Sequence, residues 1–131
     1  MVEVLRKKVS CSFEEAIKKV ENALAAEKFP VLLKKDLSNV FKENLGIEDY
    51  PKYAFILGCK PELAKMGLDA SKDVGTLFPC SFVVYQEEDG IYVAHTPIMK
   101  LAVEAGLASA EAMTSVIYET GKRMGAVWSR I

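Results

Sequence analysis

The sequence predicts an α+β fold of two layers, with a mixed, antiparallel-rich sheet of about five strands and helices packed mainly on one face. Three observations lead to this class. Apolar runs typical of strands alternate with segments of helical spacing, a hairpin pattern spans residues 80–94, and a helical repeat closes the chain. Because helical crossovers and a hairpin both occur, a mixed sheet is expected. The 131 residues have the size of one domain, covering positions 1–131.

The N-terminal elements are a strand followed by a capped helix. Val2–Val9 contains β-branched residues and a basic run at positions 6–8, which is typical of an edge strand. Ser12 and Glu15 form a capping-box pattern, and apolar residues then recur every three or four positions. An amphipathic helix over Phe13–Glu27 is therefore predicted.

The middle of the chain alternates strands and short helices. Phe29–Leu33 reads as a second strand, and a helix follows between a possible Ser38 cap and Gly46. Tyr53–Leu57 is continuously apolar, as in a central strand that is covered on both faces or shielded at a dimer contact. Pro61 suits the first turn of a further helix.

The C-terminal half predicts a hairpin and a long helix. Two apolar runs, Cys80–Tyr85 and Ile91–Ala94, flank the turn residues 88–90, so their strands are antiparallel. From Ser109 onward, apolar residues repeat at helical spacing to the end of the chain.

Composition excludes several classes of protein. Half of the residues are apolar and the net charge is −1, so no basic field is expected to attract nucleic acid or a membrane surface. No apolar run has the roughly 18 residues of a membrane span, and the N-terminus lacks the apolar region of a signal peptide. A cytoplasmic location is therefore expected. Three cysteines and one histidine without a close pair predict neither a disulfide framework nor a metal or cofactor site.

The segment from Tyr53 to Tyr85 resembles the signature of the domain-of-unknown-function 302 family, which has the TT1751-like fold. A strand runs into a Gly-x-Cys-x-Pro-x-x-Ala motif, and a Gly-x-x-Phe-Pro-Cys step leads into the next strand. The matching residues are Gly58, Cys59, Pro61, Ala64, Gly75, Phe78, Pro79 and Cys80. The resemblance implies a two-layer domain that is often dimeric, in a family without an established activity. It weakens after Tyr92 and implies no catalytic residue.

Cys59 is the first candidate for chemistry. It follows a buried strand and precedes a helix, where unpaired backbone N–H groups and the charge of Lys60 would favour a thiolate. The competing interpretation is a small, buried packing residue, since free cysteine is among the most buried residue types.

Cys80 is the second candidate, as a thiol that could resolve a disulfide with Cys59. The residues from Lys72 to Pro79 can reach roughly 26 Å at about 3.3 Å each, which is enough to return Cys80 beside Cys59. Two independent packing cysteines are the alternative. His95 is either a hydrogen-bonded or solvent-facing group, or a base or ligand that meets the two cysteines.

Three hypotheses for function follow. The first is a homodimeric small-molecule-binding domain with a pocket near Cys59 and Cys80, whose ligand contacts are Phe55, Leu57, Pro61, Phe78, Pro79, Phe82 and His95. The second is a thiol-based redox or sulfur-transfer protein that uses Cys59, with Cys80 as the resolving thiol. The third is a structural interaction module, supported by Gly121 and Gly125. These glycines leave a flat helical strip, suited either to packing on the sheet or to a dimer contact.

Overall fold

A computed structural model describes residues 1–131 and contains one five-stranded sheet in the order β1-β5-β4-β3-β2. The strands are β1 (Leu5–Val9), β2 (Val31–Asp36), β3 (Tyr53–Gly58), β4 (Cys80–Glu87) and β5 (Gly90–His95). The predicted α+β class is confirmed, and β1 lies at an edge as expected.

The sheet differs from the prediction in one respect, because all four strand pairs are antiparallel and the parallel component of a mixed sheet is absent. The helical connections between β2 and β3 and between β3 and β4 join neighbouring strands. After each connection, the chain re-enters the sheet at the same end from which the previous strand left it. Helices therefore connect antiparallel neighbours here instead of making the parallel crossovers that β-α-β order usually indicates.

Five α-helices accompany the sheet: α1 (Phe13–Ala26), α2 (Leu37–Leu45), α3 (Pro61–Ala70), α4 (Ile98–Glu104) and α5 (Ala110–Ser129). A short 3₁₀ helix, Lys72–Leu77, follows α3. The sequence did not predict α4, which has only seven residues and no side-chain cap. None of the helices is both long and apolar enough to cross a membrane.

Local capping explains where the helices begin and end. The Ser12 hydroxyl accepts from the Glu15 N–H at 3.1 Å, so the predicted serine cap is confirmed. The Glu15 carboxylate accepts from the Ser12 hydroxyl and not from its backbone N–H, so the second bond of a capping box is replaced. At α2 the cap is Asp36, not Ser38, and its carboxylate accepts from the Asn39 N–H at 3.1 Å. Gly46 ends α2 with a φ of 69°, as its position indicated.

The second strand is shifted along the chain relative to the prediction Phe29–Leu33. Lys28 has a φ of 60°, and the tight turn that it makes leaves Phe29 buried in the core. The strand then continues to Asp36 because its backbone pairs with β3, although its side chains are exposed throughout.

The two faces of the sheet have different surroundings. On one face Ala54, Ile56, Phe82, Val84 and Val93 are buried with residues of α1, α3 and α5 in the main hydrophobic core. The opposite face carries half-buried side chains, among them three stacked tyrosines, Tyr53, Tyr85 and Tyr92. A second, smaller core joins α4, α5 and the 3₁₀ helix through Val74, Met99, Ala102, Met113 and Val116.

Candidate functional site

A cavity of about 200 Å³ lies between α4, α5 and the end of β5, and it is called the α5 groove below. Its apolar walls come from both hydrophobic cores, since Met99 belongs to the smaller one and Met124 to the main one. The lining residues are Leu5, Cys80, His95, Pro97, Ile98, Met99, Lys100, Ile117, Thr120, Gly121, Met124, Gly125 and Trp128. The groove therefore occupies the seam where the two cores meet.

His95 is the principal polar group at the inner end of the groove, and only 4% of its surface is exposed. Its Nδ1 lies 2.9 Å from the Ser81 carbonyl oxygen, and its ring stacks on Phe82 with the centroids 4.4 Å apart. Burial lowers the pKa of His95 below its ordinary 6.5, although the Ser81 contact opposes this shift. The imidazole is therefore neutral at pH 7. Because Nδ1–H donates to Ser81, Nε2 is left as a hydrogen-bond acceptor.

Thr120 supplies a second polar group, and its hydroxyl has no partner in the protein. The residue is 8% exposed, and its Oγ1 is buried without a hydrogen bond. Buried polar groups are nearly always paired, and an unpaired one costs roughly 1–3 kcal/mol. An unpaired hydroxyl in a residue that lines a cavity points to a hydrogen-bond partner that the protein itself does not provide.

Gly121 and Gly125 lie at the exposed side of the groove. A Cβ atom added at either glycine would meet no other atom within 4 Å. The sequence left packing on the sheet and a dimer contact as alternatives, and the first is excluded because nothing in the chain packs on this strip. The missing side chains instead leave the groove open to solvent.

Trp128 forms the end wall of the groove and is fixed by two contacts. Its ring stacks near Phe82 with a centroid distance of 6.3 Å, and the Lys7 Nζ lies 4.5 Å from the ring centroid. The same ammonium donates to the Trp128 carbonyl oxygen at 2.9 Å. These contacts hold an aromatic surface in place at the groove.

Cys59 and Cys80 line a much smaller cavity of about 20 Å³, to which Phe29, Leu63, Phe78 and Pro79 contribute apolar walls and which Met99 and Thr120 share with the α5 groove. Strand pairing sets Gly58 opposite Cys80 and so brings the next residue, Cys59, close to it. All three cysteines are free thiols. Both cysteines therefore border one space, which holds about one water molecule.

The surroundings of Cys80 oppose thiolate formation. Burial first, and then the neighbouring Cys59, raise the pKa of Cys80 to about 11 from its ordinary 9.0. Lys60 is 8% exposed, and its ammonium donates to the Glu27 and Lys28 carbonyl oxygens at 3.2 and 3.3 Å. The charge expected to assist Cys59 is therefore bound at the end of α1.

The predicted ligand contacts are divided among several places. Phe78 and Pro79 line the small cavity, while Phe82 is fully buried beneath His95. Pro61 is exposed in the first turn of α3 and lines neither cavity.

Phe55 and Leu57 require a correction, because they lie on the sheet face opposite Phe82. They are half-buried, whereas their neighbours Ala54 and Ile56 enter the core. Side chains alternate between the two faces along a strand, so the pocket cannot contain both sets.

The two cysteines and His95 do not form a common site. Cys80 lines both cavities, but Cys59 lines only the smaller one and His95 only the larger one. No three His, Cys, Asp or Glu side chains gather at a position suited to a metal ion. Of the two structural roles expected for His95, the hydrogen-bonded one is present and the solvent-facing one is not, since the ring is buried.

Sequence analysis missed Thr120, Lys100 and Trp128 as groove residues. The pair Gly121 and Gly125 was the available signal, because two glycines inside a helix lower its stability and require a reason. Thr120 stands directly before the first of them. Thr120 is a candidate ligand contact because its hydroxyl is buried without a hydrogen-bond partner, and a sequence does not disclose such burial.

Comparison with known proteins supports the fold and the family. The crystal structure of an uncharacterized conserved DUF302 protein from Bacillus stearothermophilus is similar, with a TM-score of 0.84 and 24% sequence identity. The match covers 97% of this chain and 96% of that one. No curated protein sequence matches. Residues 5–131 match the family described as "Domain of unknown function DUF302". With almost the whole chain matched, the protein belongs to the DUF302 family.

Proposed function

We propose that this protein is a cytoplasmic, homodimeric domain that binds a small molecule in the α5 groove, next to Cys80. The observation that carries the proposal is the Thr120 hydroxyl, which is buried and unpaired in the wall of a cavity of about 200 Å³. For comparison, an engineered apolar cavity of about 150 Å³ binds benzene. Apolar walls with a few convergent polar groups are typical of ligand sites.

Ligand-observed NMR with indole and toluene as probes tests the binding function. Both probes are expected to bind the native protein with dissociation constants in the millimolar range or below. Gly125→Leu places a side chain at the opening and should abolish binding, whereas Lys122→Leu adds the same side chain on α5 outside the groove and should not. Lack of binding to the native protein, or equal loss in both variants, would contradict the proposal.

The homodimer is supported by the exposed edge of the sheet. Val31, Leu32 and Leu33 in β2 are 37%, 59% and 47% exposed. An exposed apolar edge strand tends to pair with another chain, and natural proteins usually protect such edges. Antiparallel pairing with β2 of a second copy would cover these residues and extend the sheet.

Light scattering at micromolar concentrations tests this assembly. The native protein is expected to have the mass of a dimer, and Leu32→Lys to have the mass of a monomer. Leu45→Lys is the matched control, because Leu45 is 66% exposed but lies in α2, and it should remain dimeric. A monomeric native protein would exclude the homodimer.

Thiol-based redox or sulfur-transfer chemistry is the second candidate, favoured by the shared cavity of Cys59 and Cys80. The raised pKa of Cys80 opposes it. In this proposal the two thiols lose two protons and two electrons to a disulfide oxidant, forming a Cys59–Cys80 bond. Mass spectrometry after treatment with oxidised glutathione should detect this bond in preference to any bond with Cys11, and its absence would eliminate the candidate.

A further inference from the structure

The polar groups of the α5 groove are complementary to a hydroxyl group. His95 is bonded to the Ser81 carbonyl oxygen through Nδ1, which leaves Nε2 free to accept a hydrogen bond, and the Thr120 hydroxyl lacks any partner in the protein. A ligand hydroxyl can donate to an imidazole nitrogen and accept from a second hydroxyl at the same time. A carboxylate offers no proton to Nε2. An ammonium group could donate to both atoms, because a hydroxyl oxygen also accepts, and it is disfavoured by its charge.

The charges around the groove favour a neutral ligand. No acidic residue lines it, so a cation would lack a counter-charge. Lys100 is the one basic lining residue, and it is exposed, which leaves the inner end near His95 and Thr120 without a positive charge. Burying an unpaired charge costs far more than burying a hydroxyl that finds hydrogen-bond partners.

The size and walls of the groove favour an aromatic ring. A cavity of roughly 150 Å³ accommodates benzene. The groove, of about 200 Å³, is larger by about the volume of one substituent on such a ring. Met99 and Met124 offer sulfur contacts, and Trp128 offers an aromatic surface. Thioethers and aromatic rings both pack favourably against another ring.

We propose that the α5 groove is selective for a neutral, monocyclic aromatic alcohol of the phenol class, whose hydroxyl bridges His95 Nε2 and the Thr120 hydroxyl. This inference rests on the proposed ligand-binding function. The ring occupies the space between the methionines and Trp128. Both polar groups that the protein leaves without partners then gain one.

Titration calorimetry with phenol, toluene and benzoate tests the selectivity. Phenol should bind about tenfold more tightly than toluene, as one or two net hydrogen bonds allow, and benzoate should not bind measurably. Thr120→Val should weaken phenol about tenfold and leave toluene unchanged. Thr114→Val on the same helix should change neither, because that hydroxyl donates to the Ala110 carbonyl oxygen at 3.0 Å.

The outcomes separate this inference from the function on which it rests. Equal affinity for phenol and toluene, or benzoate binding as tightly as phenol, would overturn the hydroxyl selectivity while the groove remained a ligand site. Failure of all three compounds to bind would overturn both proposals. As a readout independent of the variants, phenol should shift the ¹⁵N resonance of His95 Nε2, and no shift at saturation would contradict the bridge.

Discussion

The two cavities that share Cys80, Met99 and Thr120 differ tenfold in size. The smaller one, of about 20 Å³, is lined by the two cysteines that the sequence suggests as reactive, Cys59 and Cys80, but it has room for only about one water molecule. The larger one, of about 200 Å³, opens through Gly121 and Gly125 and contains a neutral imidazole and an unpaired hydroxyl. Cys59 therefore borders only a space too small for most ligands, whereas the space of ligand size is lined by groups that lack a hydrogen-bond partner in the protein.

The largest expected effect concerns Cys80, which lines both cavities. A pKa of about 11 in place of 9.0 lowers the thiolate fraction at pH 8 about a hundredfold relative to the unfolded chain. Alkylation by iodoacetamide, measured at this site by mass spectrometry, should be slower in native protein than in urea by at least that factor. Similar rates in the two states would mean that Cys80 is available for thiol chemistry.

The second effect concerns the opening of the large cavity. Gly121→Ala with Gly125→Ala should raise the free energy of unfolding by about 2 kcal/mol, because alanine favours helix by about 1 kcal/mol per site and both added methyl groups find open space. Gly67→Ala in α3 is the control, since its Cβ would lie 3.1 Å from the Met99 Cε. If urea denaturation showed that Gly67→Ala gains as much stability per site, the contrast between open and packed glycines would be refuted.

The third effect is the pH dependence caused by His95, the only histidine. Its pKa is lowered in the folded protein, so the unfolded chain takes up a proton near pH 6.5 while the folded chain does not. The free energy of unfolding should therefore fall as the pH drops below 6.5, by at most about 1.4 kcal/mol per pH unit, and level off below the folded pKa.

The variant His95→Gln isolates the contribution of the histidine to this pH dependence. The other titratable groups, including the carboxylates and the groove residues Cys80 and Lys100, are unchanged in it. Denaturant titrations between pH 7 and 5 should give a flatter profile for the variant. Parallel profiles would show that the imidazole is protonated equally in both states.

The smallest effect tests whether the Thr120 hydroxyl is truly unpaired. Thr120→Val keeps the shape of the side chain and removes a buried polar group without a partner, so the free energy of unfolding should rise by about 1 kcal/mol. Thr114→Val removes a hydroxyl that is bonded and exposed, and it should not stabilise the protein. Thermal unfolding of the two variants, measured without ligand, decides the comparison. A loss of stability in Thr120→Val would indicate that the hydroxyl has a hydrogen-bond partner within the protein.

Local patterns predicted most of the elements, and the errors have local causes. The helix cap at Ser12, the turn before β5 and the repeat in α5 depend on residues close in sequence. The second strand was misplaced because Lys28 adopts positive φ, which a non-glycine residue seldom does. The exposed residues of β2 are held as a strand by backbone pairing with β3, and α4 is too short to display a clear periodicity.

The candidate site was predicted in part. The reach of the chain allowed Cys59 and Cys80 to approach one another but did not require it, and the β3–β4 pairing sets Gly58, the residue before Cys59, opposite Cys80. Phe55 and Leu57 were grouped with Phe82 because all three are apolar and close to the cysteines in sequence. The alternation of a strand assigns them to opposite faces, and the register of pairing decides which face enters the core.

The sequence by itself determined the α+β class, the order of most elements and the family, because periodicity, caps and motif spacing are properties of neighbouring residues. Only the tertiary structure decided that the sheet is fully antiparallel, that His95 is buried and neutral, and that Thr120 and the α5 glycines border a cavity. The physical reason is that burial, desolvation and hydrogen-bond satisfaction depend on atoms from α4, α5 and the sheet together. No single segment contains that information.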